Sequence, residues 1–302
     1  MFRLLSKESN IFSVPVYIAV LLLIIIGFNI LDFNTLDIIS AIITFGGIAL
    51  GYFCFNTLAL NYQTHLPLFL YTVFIFSFYP GDLDLGIAVS LFTNSIILLL
   101  LTNMDMSIRK NSYVLIGSIL TLNFIFLPTT WPMSIFVIFH IIGTSDRIGL
   151  HFFRLFFGIF LSALSYFGIA YFLGMNSWNP AYFPFSGFKP ITNFNQLLWL
   201  VPIFVMLVYS VMNHFSHYNQ KSPTSKFKYT FLLVFSLSQV ITIILYMGNH
   251  YEYLLLLAFP ATVMLSRMLK FLPKYWMKEV GFWLVVFCLI LFKAANYLKF
   301  NI

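Results

Sequence analysis

Long apolar blocks recur along the whole chain, and they limit what it can fold into. Each block runs for about 15–25 residues, the length of helix needed to cross a hydrocarbon layer ~30 Å thick. The run from Ile96 to Leu101 is apolar on every face, whereas a strand of a membrane barrel alternates apolar and polar side chains. Because backbone inside lipid must satisfy its own hydrogen bonds, the pattern predicts an all-α, polytopic transmembrane helical bundle.

The composition excludes a water-soluble fold. Only 8% of the residues are charged and 61% are hydrophobic, whereas soluble domains carry about 25% charged residues. The longest stretch between apolar blocks, residues 174–195, is too short to bury a core of its own. We therefore expect residues 1–302 to form a single integral membrane domain, without a separate soluble domain.

Hydropathy predicts about 11 spans, with the N-terminus inside and the C-terminus outside. Two of these spans are short and are joined by residues 127–132, which contain two prolines. Residues 112–143 can therefore be two short spans or a re-entrant hairpin, which would reduce the count to nine. The predicted segments are 12–31, 37–60, 66–80, 84–103, 112–127, 131–143, 150–173, 196–213, 228–247, 251–267 and 279–297.

The distribution of basic residues supports this topology. Thirteen of the sixteen Lys and Arg residues lie in predicted cytoplasmic segments, and the others are Lys189, Lys293 and Lys299. Cytoplasmic loops of membrane proteins carry an excess of Lys and Arg, and one miscounted span would reverse the side of every later loop. The net charge of +7 is thus explained by topology, and we predict no nucleic-acid partner.

Acids and a histidine at the predicted outer face are the candidates for catalysis. Asp32 follows the C-terminal end of the first span, where the helix dipole disfavours a carboxylate. His250 and Glu252 are close in sequence and can act as an acid–base pair in one pocket. The structural alternative is a polar helix start capped by Asn249. The catalytic candidates are Asp32, Glu252 and His250.

The candidates for substrate binding are Lys189, Trp178 and His140. Lys189 and Trp178 belong to the aromatic, proline-containing loop 174–195, which either covers a site or lies on the membrane surface as a tether. Lys189 can bind an anionic headgroup or phosphate. His140 lies among apolar residues of the short sixth span, where a histidine is often hydrogen-bonded within the bundle.

Other motifs predict no cofactor and no metal. His214 and His217 are three residues apart, but no third ligand lies near them in sequence. We find no glycine-rich phosphate loop and no nucleophile motif. No ionisable residue lies at the centre of a span, which argues against an ion-driven transporter.

Several segments resemble one family. Residues 1–7 (MFRLLSK), 65–71 (HLPLFLY), 252–261 (EYLLLLAFPA) and 274–279 (KYWMKE) are similar to an uncharacterised multi-pass inner-membrane family, a domain of unknown function found in Bacteroidota. The resemblance implies the cytoplasmic membrane of a Gram-negative bacterium and brings no established activity.

A more distant similarity is to integral-membrane glycosyltransferases of the C-type fold. Asp32, the short helices within 112–143 and the loop 174–195 fall at comparable places, although the first outside loop of that family is longer. This resemblance implies a polyprenyl-phosphate sugar as substrate, with Asp32 as base or metal-binding acid.

Two classes of function follow from these residues. The acids are few and mostly explained by helix ends, so the sequence favours a non-catalytic subunit or scaffold of a cell-envelope complex. The alternative is a periplasm-facing enzyme or binder of a lipid-linked sugar, and a transporter or flippase ranks third. The expected partners are the lipid bilayer, other membrane proteins of such a complex and, for the enzyme, a polyprenyl-phosphate lipid.

Overall fold

The structure is a computed structural model that describes residues 1–9, 12–29, 35–57, 64–81, 83–102, 111–178, 180–183, 187–192 and 194–298. Helices make up nearly all of this part of the chain. Short 3₁₀ turns at Pro128–Thr130, Leu197–Leu200 and Tyr251–Leu254 lead into helices that follow them. The α-helices are α1 Phe2–Leu5, α2 Ser13–Asn29, α3 Thr35–Thr57, α4 His65–Phe78, α5 Leu85–Leu101, α6 Tyr113–Phe126, α7 Pro132–Thr144, α8 Ile148–Phe172, α9 Val201–Ser216, α10 Pro223–Tyr246, α11 Leu255–Phe271 and α12 Tyr275–Leu298.

The prediction of an all-α fold is confirmed for the described residues. A helix lies at each of the predicted apolar segments, and five helical segments of the described chain are long and apolar enough to cross a membrane. Other apolar helices, including α2, α4, α5 and α6, have 14–17 residues. The five long segments are Ile38–Phe55, Ile148–Phe172, Leu197–Ser216, Pro223–Tyr246 and Tyr251–Phe271.

The segment Tyr251–Phe271, which contains α11, lies at the centre of the bundle. In its most apolar stretch, 72% of the residues are buried inside the chain, compared with 17% for α8 and for Leu197–Ser216. α11 packs against α4, α9, α10 and α12. The core is therefore built around α11 and α4, whereas α8 and α9 present most of their apolar surface outwards.

Two helix pairs pack through small residues. In the first, a Cβ atom on Gly47 of α3 would lie 2.6 Å from the backbone nitrogen of Phe92 in α5, and Ser95 donates a hydrogen bond to the Gly47 carbonyl (2.9 Å). In the second, Gly117 of α6 and Gly158 of α8 face each other's helix so closely that a Cβ atom at either would clash with a backbone carbonyl. Small residues let backbones approach in this way where no hydrophobic force drives helices together.

Lys293 is a lysine buried between helices of the bundle. It lies within α12, is 7% exposed and donates a hydrogen bond to the Tyr79 carbonyl at the end of α4. Its ammonium lies 4.3 Å from the centre of the Phe28 ring. The charge is thus held between helices by a carbonyl and an aromatic face, which sequence hydropathy does not reveal.

Candidate functional site

A cavity of about 640 Å³ lies at one end of the bundle, and we call it the Lys189 cavity. It is bordered by the start of α5, the turn after α6, the end of α10 and the 3₁₀ turn before α11. Among the described residues that line it are two carboxylates, a lysine and a histidine from three separate parts of the chain, namely Asp84, Lys189, His250 and Glu252. The volume is in the range typical of sites for small ligands.

The segment 187–192 is fixed to the end of α10 by backbone hydrogen bonds. The Lys189 nitrogen donates to the Leu245 carbonyl (2.9 Å), and the Gly248 nitrogen donates to the Lys189 carbonyl (3.0 Å). Gly248 has a φ of 53°, which glycine adopts without strain. The ring of Phe188 also stacks on Tyr246, with centroids 5.7 Å apart. These contacts hold Lys189 at the wall of the cavity.

The side chains of His250 and Glu252 lie within hydrogen-bond distance of each other at the cavity. The His250 Nδ1 atom lies 3.1 Å from Glu252 Oε1, and the Glu252 side chain is 19% exposed whereas that of His250 is 60% exposed. The N-cap of this 3₁₀ turn is His250, without a side-chain capping hydrogen bond, and the Asn249 side-chain oxygen accepts a hydrogen bond from Thr192 (3.1 Å). The turn places the His250 imidazole and the Glu252 carboxylate at the cavity.

Asp84 lies at the N-cap position of α5, but its side chain makes no capping hydrogen bond. A capping hydrogen bond would by itself explain an acid at this position. Because Asp84 makes no such bond, its carboxylate can interact with a ligand in the cavity that it lines. Hydroxyl groups of Thr129, Tyr246 and Tyr253 complete the polar lining. Tyr246 is oriented by Trp131, whose Nε1 donates to its hydroxyl (2.8 Å). The site thus offers a cation, two carboxylates, an imidazole and several hydroxyls.

A family model matches residues 1–301 of this chain. The chain belongs to DUF6427, a family of unknown function. No curated protein and no solved structure matches it. The prediction of an uncharacterised family is confirmed.

Two other predicted site residues of this DUF6427 chain, Trp178 and His140, lie away from the cavity. Asp32 is outside the described residues. Trp178 is 57% exposed and packs edge-on against Tyr182, with centroids 6.3 Å apart. His140 lines a separate pocket of about 160 Å³ between α7 and α10, where its ring contacts Phe231 (5.2 Å). The structure brings together Lys189, His250 and Glu252 but leaves Trp178 and His140 apart from them.

Sequence reasoning did not select Asp84 as a site residue. An acid before an apolar helix is adequately explained by the helix dipole, and its position beside Lys189 depends on the packing of distant segments. Among the described residues, no group of three His, Cys, Asp or Glu side chains is arranged to hold a metal ion.

Proposed function

We propose that this DUF6427 protein binds a phosphate-bearing, lipid-linked substrate, such as a polyprenyl-phosphate sugar, in the Lys189 cavity. The observation that carries the proposal is the convergence of Lys189, His250 and Glu252 on one cavity. A scaffold does not require acid, base and cation to meet in this way. The geometry therefore favours the binder or enzyme over the scaffold that the sequence alone favoured.

Each part of the cavity matches part of such a substrate. Lys189 supplies a cation for the phosphate, and a charge-assisted hydrogen bond there is worth about 1.5–3 kcal/mol. The carboxylates of Asp84 and Glu252 and the tyrosine hydroxyls can bind sugar hydroxyls. The His250–Glu252 pair has the spacing of an acid–base pair, in which the carboxylate orients the imidazole for proton transfer. This arrangement suits group transfer at the sugar–phosphate bond.

Lipid retention during purification tests this proposal. We expect the protein, purified in a mild detergent, to carry a polyprenyl-phosphate species detectable by native mass spectrometry. Lys189→Gln is expected to reduce that signal about tenfold or more, as loss of a charge-assisted hydrogen bond implies. Lys274→Gln is the matched control, because it removes the same charge at an exposed position away from the cavity.

The same purification distinguishes the second candidate function. The observation that favours a subunit is the exposure of α8, because only 17% of the residues in its most apolar stretch are buried within the chain. A stoichiometric protein partner without any polyprenyl lipid would support a subunit of a cell-envelope complex. It would also contradict the substrate-binding proposal.

We place the protein in the bacterial inner membrane as a multi-pass protein of 11 spans, with the Lys189 cavity on the outer face. The helix ends support two short crossings by α6 and α7. Asn111, before α6, accepts a hydrogen bond from Arg154 (3.3 Å), whereas Thr129, after α6, lines the Lys189 cavity. Thr144, at the end of α7, shares a pocket with Phe227 at the start of α10.

Cysteine labelling tests the orientation. In a variant with Cys54 and Cys288 replaced by alanine, Asn176→Cys is expected to react with a membrane-impermeant maleimide from the periplasm. Lys274→Cys is expected to react only after the inner membrane is opened. Both positions are exposed, so the difference reports the side of the membrane. Labelling in the opposite order would contradict the proposed orientation.

A further inference from the structure

A second cavity, of about 480 Å³, lies at the end of the bundle opposite the Lys189 cavity, and we call it the Arg267 cavity. It lies where α9 and α11 end and α10 begins, whereas the Lys189 cavity lies where α10 ends. Its basic lining residues are His214, His217, Lys221 and Arg267. No lining residue identified in the described chain is an acid. The cavity therefore brings basic groups together without a carboxylate from the described residues to balance them.

Hydrogen bonding fixes the proton on His214. The Lys221 ammonium lies 3.0 Å from His214 Nδ1 and 2.9 Å from the His214 carbonyl oxygen. An ammonium group can only donate, so Nδ1 accepts and the ring proton is on Nε2. His214 is 2% exposed, and its Nε2 atom has no hydrogen-bond partner in the described chain. The result is a buried N–H donor without an acceptor.

Arg267 supplies a second donor of the same kind. Its Nη2 atom donates to Ser225 Oγ (3.2 Å), but its Nη1 atom is buried and has no partner among the described residues. Most buried polar groups in proteins are paired, so each unpaired donor requires an explanation. The Nη1 group of Arg267 and the Nε2–H group of His214 are both donors, so a ligand that satisfies them must carry acceptors.

Tyr229 holds these groups in place. Its ring stacks on His214 with centroids 4.1 Å apart, and the Arg267 guanidinium lies 4.7 Å from the centre of the same ring. The Tyr229 hydroxyl shares a hydrogen bond with Ser210 (2.8 Å), which in turn donates to the Met264 carbonyl (3.1 Å). The donors are thus preorganised by a buried tyrosine that is itself anchored to α9 and α11.

The topological explanation for basic residues does not account for this arrangement. Cytoplasmic Lys and Arg residues that only set orientation can extend to water and lipid headgroups. Here, burial and the charge of Arg267 lower the pKa of Lys221 to about 8. Bringing two cations together in a partly buried cavity costs free energy unless an anion is bound.

We propose that the Arg267 cavity binds a phosphate group, with Arg267, Lys221 and His214 as its ligands. The two sources of this chemistry are a soluble phosphate compound and the headgroup of an anionic phospholipid. The proposal is independent of substrate binding in the Lys189 cavity, because it rests on other residues at the other end of the bundle.

Binding of inorganic phosphate to the detergent-purified full chain, measured by calorimetry, is the first test. We expect saturable binding that Lys221→Gln weakens at least tenfold. His214→Phe keeps the aromatic stacking but removes the Nε2 donor, and we expect it to weaken binding as well. Lys274→Gln, at an exposed lysine outside the cavity, is expected to bind as the wild type does. Native mass spectra or melting curves establish that each variant is folded.

The second arm identifies the source of the phosphate. The wild type and Lys221→Gln are placed in nanodiscs of phosphatidylcholine with a minor fraction of phosphatidylglycerol. Native mass spectrometry of the released protein then shows which of the two lipids each protein retains. Selective retention of phosphatidylglycerol, lost in Lys221→Gln, would assign the cavity to a lipid headgroup. Phosphate binding without lipid selectivity would assign it to a soluble compound. Absence of both, or equal binding by Lys221→Gln and Lys274→Gln, would overturn the proposal.

Discussion

Gly158→Ala is expected to destabilise the protein by about 1–3 kcal/mol, the usual cost of adding volume to a closely packed contact. A Cβ atom at Gly158 would clash with the Val114 carbonyl, and one at Gly117 would clash with the Leu155 carbonyl. Ser118 of α6 also donates to the Gly158 carbonyl (3.3 Å). The added methyl group must therefore push α6 and α8 apart and lengthen this hydrogen bond. The measurement is the melting temperature in detergent, which we expect to fall by several degrees.

The same helix provides the control for this prediction. Gly168 lies about three turns further along α8, and a Cβ atom there would meet no atom within 4 Å beyond its own helix backbone and chain neighbours. Gly168→Ala should leave the melting temperature unchanged or raise it slightly, because alanine favours helix more than glycine does. If both variants melt at the same temperature as the wild type, α6 and α8 are not in close contact.

The positions of the helices could be predicted because they depend on local sequence. An apolar run long enough to span lipid forms a helix wherever it lies, so segments such as 150–173 and 228–247 correspond closely to α8 and α10. The small residues at the α6–α8 contact could not be selected in advance. Gly158 and Gly168 lie on one helix in similar apolar surroundings, and only the partner helix distinguishes them.

The candidate site could be predicted only in part, for a similar reason. His250 and Glu252 are neighbours in sequence, so their pairing could be anticipated. The approach of Lys189 depends on backbone hydrogen bonds to Leu245 and Gly248, which leave no pattern in the sequence. The Arg267 cavity could not be predicted, because a general rule already explains the basic residues that line it. Basic residues at one end of a membrane protein are explained by topology, so nothing in the sequence indicated that two of them share a cavity with a buried histidine.

The protonation of Lys221 predicts how the Arg267 cavity responds to pH. Burial and the Arg267 charge lower the Lys221 pKa from its ordinary value to about 8, and a bound anion would raise it by stabilising the ammonium. Anion binding is therefore accompanied by proton uptake above pH 8, and the affinity must fall as the pH rises. Between about pH 7.5 and 9.5 we expect a loss of roughly tenfold or more. Sulfate is the suitable probe because its own charge does not change in this range.

Lys221→Arg separates this effect from other titrating groups. Among the described residues, the other titratable groups that line the cavity with Lys221 are His214 and His217 from the end of α9, Tyr229 from α10 and Arg267 from α11. Arginine keeps its charge throughout this pH range, so the variant should bind sulfate with nearly the same affinity at both pH values. The Tyr229 hydroxyl is engaged with Ser210, and any pH dependence that it contributes would persist in the variant. A wild type and a Lys221→Arg variant that lose affinity equally would show that Lys221 is not a ligand of the anion.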